Sequence, residues 1–479
     1  MLLGRMDAPP LVSPDVLASL SSEVFALIQW QARQIERLTA HLAKLEAELA
    51  ELKRGGRNPA NSSLPPSTVH PHAKPVSNKP KSKRSRGAQL GHHKHERALI
   101  STEQCQDVVP CVPTQCRRCG KALRGIDPEP LRHQVWELPE FQPTVIEYQR
   151  HRLVCSCGCS TCGELPPGVP TGQAGPRLIA FAGLLMACFR QSKRRAAEFL
   201  SIILNQPASA GWMVLLQNRA AEAVEPAYNE LAAQLPVQAI LHIDESPTKE
   251  GKAKAWVWTF VAATFIFFAC RLSRARDALT DLLGSSYEGT IHCDRAKMYW
   301  CYGHLQWCWA HLQRDFQGLI DSHCPTRKRL GHDLMRPTKE LFALWRKVRD
   351  GTIRRRTFCR RMQPIRERVE ALLLRGYFNA LTYGLCRELW EHREHLWTFI
   401  EVEGVEPTNN AAERALRHAV IWRKLSFGTQ SASGSRFVER MLTVIETCRR
   451  QRRNVFAWLT GAVRARLSGE SMPSLRAVS

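Results

Sequence analysis

Asp244 closes an apolar run, VQAILHIDESP, and Asp294 closes another, GTIHCD. Buried strands that each end in an acid bring both carboxylates to one edge of a sheet. Carboxylates held that close repel unless a divalent cation lies between them. Two-metal phosphoryl transfer uses such a pair: the ions activate the attacking oxygen and stabilise the leaving one. Taken singly, each aspartate has an ordinary explanation, because Asp commonly turns a strand into a loop. Glu413, in PTNNAAERALRHAV, is the third candidate. In one reading Asn410 caps a helix and Glu413 returns the bond of a capping box. In the other, Glu413 faces the aspartates from the first helical turn as a third ligand. Arg414, Arg417, Arg423 and Lys424 follow on the same helix and are available for phosphates.

The elements around these residues read as a mixed sheet. AWVWTFV and TFIFFACRL are two strands, followed by a helix around Asp277–Leu283. The run Ala255–Cys270 is too short for a membrane span, which needs about 20 residues, and too rich in β-branched and aromatic types. A buried hairpin fits it better. Upstream, from about Pro176 to Leu235, the pattern is helical. The Arg-rich FRQSKRRAAEFLSIIL meets a break at Asn205–Pro207 and a second helix around Trp212. As a helix-turn-helix, the second helix would enter a major groove; ordinary helical packing explains the same pattern.

Eight of the 17 cysteines fall between Cys105 and Cys162. MLLGRMDAPPLVSPD holds no apolar core of signal-peptide length, so clustered cysteines predict metal rather than disulfides in a soluble, intracellular protein. Cys116-x-x-Cys119-Gly is a zinc-knuckle signature, and CSCGCSTC offers Cys155, Cys157, Cys159 and Cys162, of which a tetrahedral site needs two. Cys105, Cys111 and His151 are surplus or alternative ligands. The intervening HQVWELPEFQPTVIEYQRHRLV alternates as strands do, predicting a small zinc-ribbon-like β module. Near the N-terminus, Val24, Ile28, Ile35, Leu38, Leu42, Leu45, Leu49 and Leu52 form a heptad seam, expected to be a short coiled coil that pairs protomers or packs on its own chain. Between them, Lys53–Arg97 carries eleven Lys and Arg against Glu96 alone and reads as a mobile basic linker. Over 479 residues the formal charge is +24, which points to a polyanion, nucleic acid before membrane.

From about Gly55 to Leu459 the chain resembles the insertion-sequence transposases of the family numbered sixty-six, a DDE group. GRNPANSSLPPS, RGAQLGHHKHER, CRRCG with the later CSCG, HIDES, CDRAKMY, CWAHLQRDF and TNNAAERALRHAVIWRKLSFGTQSASGSR carry the resemblance, in that order. It implies a ribonuclease H-like catalytic domain interrupted by a helical insertion, with Asp244, Asp294 and Glu413 as the triad for magnesium or manganese. It favours Cys155 and Cys157 as the zinc partners of Cys116 and Cys119. Cys308 and His311 resemble a C-x-x-H pair that lies near the catalytic centre of related transposases; a buried thiol and a packed histidine are the plainer account. Two positions depart from the pattern: no glycine follows Asp294, and Thr408 stands where an Asp often precedes the paired asparagines.

The activity so implied is binding of the element's terminal inverted repeats, magnesium-dependent cleavage there, and transfer of the freed strand into target DNA. Accessory proteins of the same element are implied partners. A catalytically inactive, zinc-containing DNA-binding regulator is the rival reading, and a nuclease that cuts without rejoining is a third. The expected multidomain layout is coiled coil 15–54, basic linker 55–97, zinc module 98–170, helical DNA-binding segment 171–235, ribonuclease H-like α/β domain 236–315 and 401–465 around a helical insertion 316–400, and a tail 466–479. The expected location is the cytoplasm, on the nucleoid.

Overall fold

The computed structural model describes residues 97–476, together with 21, 23–24, 26–28, 30–31, 33–39, 41–42, 58–59, 61–62 and 92. Of the heptad seam, Val24, Ile28, Ile35, Leu38 and Leu42 are helical and exposed, the last three by more than 60%. Leu45, Leu49 and Leu52 lie outside the described residues. So does most of the basic linker, expected to be mobile; among its described positions, one packs on the folded chain. Asn61 is buried, and its Nδ2 donates to Asp321 Oδ2 at 3.0 Å. A Cβ on Gly318 would strike the Asn61 carbonyl oxygen, so glycine there admits this contact. Asparagine amides hydrogen-bond well in a turn, and this one closes through Asn58 N–H to Asn61 Oδ1 at 2.7 Å.

The chain forms two compact units, one of residues 1–71, 148–198 and 208–479, the other of 72–147 and 199–207. In the second unit, a bridge between Gln115 and Ala122 closes the turn that holds Cys116 and Cys119. The strands expected across 133–151 do not form; pairing is confined to β1 (Arg152–Val154) and β2 (Ser160–Cys162), in the first unit. Alternation yields a strand only where a neighbouring strand and an apolar face receive it. Val135, Leu138, Val145 and Ile146 find neither and are exposed by 68–84%.

The larger unit opens with helices. α1 (Pro176–Ala187) starts on proline, whose missing N–H would have no partner in a first turn. α2 (Lys193–Ile203), α3 (Ala210–Ala223) and α4 (Glu225–Ala232) follow. The break before α3 is where the sequence puts it, and Ser209 caps α3 by accepting the Trp212 N–H at 3.1 Å.

Then comes the sheet. β3 (Ile240–Glu250), β4 (Ala253–Val261) and β5 (Ile266–Arg271) form an antiparallel meander; α5 (Arg276–Leu283) leads to β6 (Thr290–Cys293) and β7 (Leu305–Trp307). The order is β5-β4-β3-β6-β7, with β6 parallel to β3 and β7 parallel to β6. Gly251, at φ 59°, supplies the left-handed turn between β3 and β4. The expected hairpin of Ala255–Cys270 is therefore β4–β5, with Trp258, Phe260, Phe267 and Phe268 fully buried.

Between β7 and the returning helices the chain is helical: α6 (Trp309–Ile320), α7 (Pro325–Arg349), α8 (Arg355–Tyr377) and α9 (Tyr383–Glu391). Trp309, Trp397, Phe358 and Phe399 form its aromatic centre. The stretch anticipated as an insertion thus has its own core. α10 (Asn410–Ser426) returns across β3 and β4, followed by α11 (Ala432–Arg450) and α12 (Val455–Ser468).

α11 closes the open edge of β5. Glu439, Thr443 and Thr447 accept the backbone N–H groups of Cys270, Phe268 and Ile266 at 2.7, 2.9 and 3.1 Å. Four residues of helix rise about 6 Å and two of strand about 6.7 Å, so side chains every fourth position meet every second strand residue. An edge that would otherwise recruit another strand is thereby satisfied. No helix among the described residues is long and apolar enough to cross a membrane.

Candidate active site

β3 and β6 are parallel neighbours with His242 opposite His292. Two residues further along each lies an aspartate, on the same face by strand alternation. Asp244 and Asp294 therefore stand side by side, but only Asp294 follows a strand's end; β3 runs on past Asp244 to Glu250. Each accepts one backbone hydrogen bond, Asp244 Oδ1 from Glu245 N–H at 2.9 Å and Asp294 Oδ1 from Ala296 N–H at 2.8 Å. Burial pushes both carboxyls above the usual range. For Asp244, the negative charges of Glu245, Asp294 and Glu413 push further; for Asp294, the Ala296 N–H and Arg274, Arg295 and Arg314 pull back.

Glu413 sits in the first turn of α10, but not as a capping-box partner. The cap position is Asn409, not Asn410, and its side chain makes no capping bond. Asn409 Nδ2 instead donates to the Ile243 carbonyl at 2.6 Å, fastening α10 to the strand that carries Asp244. The Glu413 carboxylate turns toward α6, with Oε1 3.6 Å from His311 Nδ1 and 3.8 Å from Arg314 Nη2.

Cys308 and His311 join this site. Cys308 caps α6, and Cys308 N–H donates to Cys293 O at 3.0 Å, so the end of β7 is tied to the residue before Asp294. Cys308 Sγ accepts the Asn409 N–H at 3.2 Å. Burial raises the thiol to about 11 and lowers His311 to about 3, with Arg314 and Arg295 adding to the latter; His311 is neutral at physiological pH. Among the described residues, two sets of three ligand atoms lie within 4.8 Å of one another: Cys308–His311–Glu413, and His392–Glu394–His395 in the helical stretch. Asp244 and Asp294 belong to neither.

The residues not foreseen are those that brace the site. Glu245, next to Asp244, is held by Arg274 through Nη2 at 2.6 Å and Nε at 2.8 Å, and by the Tyr299 hydroxyl at 2.6 Å. Arg295 bridges Asp315 at 2.7 Å and Glu388 at 2.6 Å. The His242 and His292 rings meet with centroids 3.9 Å apart and planes tilted by 32°. Burial lowers both, His242 to about 4, so the pair is neutral. The signal for this pair was present as His-x-Asp at the end of both apolar runs.

Of the four basic residues assigned to DNA, Arg414, Arg417 and Lys424 are exposed. Arg423 is engaged on β3, donating to Ser246 Oγ at 3.1 Å and to the Pro247 carbonyl.

The cysteine knuckles lie in different units. Around Cys116, the Gly120 N–H returns to the Cys116 carbonyl at 2.9 Å. The backbone N–H groups of Cys119 and Arg118 pull the Cys116 thiol down, as those of Cys157 and Ser156, with their side chains, do for Cys155. Backbone N–H groups aimed at sulfur favour the thiolate a metal needs. Cys157 and Cys159 are exposed, and Cys162 is half-buried.

Residues 13–98 match a family of unknown function, DUF6444. Over 405 residues the chain is 25% identical to an uncharacterized protein, y4hP, of Sinorhizobium fredii, covering 72% of this chain and 69% of that one. Residues 171–436, which include the sheet, the helical stretch and all three acids, match the family described as Transposase IS66 family. The chain belongs to the IS66 family of transposases.

Proposed function

We propose that this transposase cuts and joins DNA through a DDE triad of Asp244, Asp294 and Glu413 on a ribonuclease H-like domain. One observation carries the reading: two neighbouring strands bring Asp244 and Asp294 side by side, half-buried and without a counter-ion bonded to either, with Glu413 close enough to add to the charge on Asp244. The strand order, an antiparallel meander followed by two parallel strands, supports the ribonuclease H-like assignment.

The donor set suits magnesium or manganese. Only carboxylate oxygens are offered by the aspartates, each keeps an oxygen without a hydrogen bond, and both retain partial exposure. When bound, the ions supply Lewis acidity, activating the attacking oxygen and stabilising charge on the leaving one. Asp244, within β3, and Asp294, just past the end of β6, would hold the ions, and Asn409 fastens α10 to β3. Glu413 must swing from α6 toward the aspartates to complete the triad. Arg414, Arg417 and Lys424 hold backbone phosphates, adding affinity without sequence choice.

In this reading the substrates are the element's terminal inverted repeats and target DNA. The N-terminal helix pairs protomers or receives an accessory protein of the same element through its exposed seam. The cysteine knuckles take zinc, Cys116 and Cys119 with Cys155 and Cys157, Cys159 or Cys162 being the alternatives. Size measurements on Leu42→Asp test the seam, where an unaltered oligomer removes it. Native mass spectrometry of Cys116→Ser tests the knuckle, where unchanged zinc content rejects it.

The decisive assay compares excision and strand transfer by wild type with Asp244→Asn, Asp294→Asn and Glu413→Gln. Loss of chemistry with binding to the element's ends retained is the expected result. Unchanged transposition in any one variant removes that residue from the triad.

A further inference from the structure

Cys308 and His311 are not used by the chemistry assigned to the aspartates, and their geometry gives them a separate use. Cys308 caps α6 and His311 lies three residues on, so both donors face one side of the first turn. α10 delivers Glu413 to the same point, and the three ligand atoms lie within 4.8 Å of one another. The 3.6 Å between His311 Nδ1 and Glu413 Oε1 already matches the separation of roughly 3.3–3.8 Å that tetrahedral zinc, with bonds of about 2.0–2.3 Å, imposes on its ligands. Both of those atoms are buried and lack a hydrogen-bond partner. Buried polar atoms left without a partner are destabilising, and a cation shared between them satisfies both.

We propose that Cys308, His311 and Glu413 form a site for a borderline-soft divalent ion, zinc, distinct from the cysteine knuckles and from the oxygen-only aspartate pair. Sulfur and imidazole select against magnesium, which takes oxygen donors. Three protein ligands leave a fourth position for water. The Cys308 thiol proton leaves to solvent on binding. Arg314, 3.8 Å from the same Glu413 oxygen, is the competing partner that the ion displaces. One consequence rests on the triad reading above: because Glu413 is common to both sites, zinc here holds its carboxylate away from the aspartates, and the two metals compete for one side chain.

The test is a metal count on the full-length protein by native mass spectrometry after zinc loading, with cobalt substitution as a second readout. Wild type is expected to carry one zinc more than Cys308→Ser, His311→Gln or Glu413→Gln. Cobalt-loaded wild type should show a near-ultraviolet sulfur-to-cobalt band that weakens in Cys308→Ser. Glu413 is partly exposed, so Glu413→Gln, checked by an unchanged melting temperature, guards against loss of fold. Equal zinc counts in all four proteins overturn the site. If counts are equal but DNA cleavage is lost in Glu413→Gln, the zinc site falls and the triad stands. If zinc falls by one in all three variants while Glu413→Gln still cleaves DNA, the site stands and the triad falls.

Discussion

Asp244 and Glu245 are adjacent acids on one strand, and the protein treats them in opposite ways. Glu245 is saturated: a forked Arg274 and the Tyr299 hydroxyl take up its carboxylate, which is only 2% exposed. Asp244 receives one backbone N–H and faces two more acids. Glu439 behaves like Glu245, with its backbone bond to Cys270 at 2.7 Å and ion pairs to Arg436 at 3.0 Å and Arg271 at 3.7 Å. Burial raises all three carboxyls, but only the structural two are given dedicated counter-charges. An acid that holds the fold together is compensated by the fold. One left uncompensated is kept for a partner from outside, and a divalent cation is the partner its surroundings suit.

This contrast predicts opposite responses to neutralisation. Asp244→Asn should lower DNA cleavage by about a thousandfold or more, about 4 kcal/mol in transition-state stabilisation. The same variant should melt no lower than wild type, and up to about 1 kcal/mol higher, because it removes charge repulsion and only a single hydrogen bond is at stake. Glu439→Ala should cost about 3 kcal/mol, because it strands the Cys270 N–H and two arginines. Both arginines keep some exposure, which holds the figure below that of a fully buried pair. Glu245→Gln should cost less, about 2 kcal/mol, since Arg274 is 44% exposed and can rehydrate. Denaturant unfolding of the three variants checks the ranking; a strongly destabilised Asp244→Asn would place that residue with the structural acids.

The sequence makes Asp244 and Asp294 visible because an apolar run that ends in an acid is a local pattern, carried by consecutive residues, even though β3 itself runs on past Asp244 to Glu250. It does not distinguish Asp244 from Glu245, since Arg274 and Tyr299 arrive from other elements. The Glu439–Thr443–Thr447 ladder was hidden for the same reason: its spacing reads as one face of a helix until β5 lies beside it. Glu413 was legible as a residue of a first helical turn but not in its orientation, because the helix cap shifts to Asn409, whose side chain is spent on β3. In 133–151 the alternation was real, yet a strand requires a partner that no local pattern can supply.

The smallest effect expected is a pH dependence with two opposed parts. Asp244 and Asp294 have folded-state values raised above the unfolded carboxyl. Their contribution to stability is therefore complete below about pH 3.8 and is lost as pH rises through the raised values. His242 and His311 are lowered to about 4 and about 3. Each contributes stability above about pH 6.5 that is lost as pH falls toward those values. Melting temperature against pH should therefore be flatter than either pair alone would make it. In Asp244→Asn the acid side of the balance is reduced, so its melting temperature should fall more steeply than that of wild type on going from pH 7 to pH 4. Magnesium gives the same contrast at fixed pH. At a hundred times its dissociation constant it should stabilise wild type by about 2.7 kcal/mol, and stabilise Asp244→Asn far less. Parallel pH profiles, together with equal magnesium stabilisation, would mean that Asp244 is compensated after all and that the contrast with Glu245 is false.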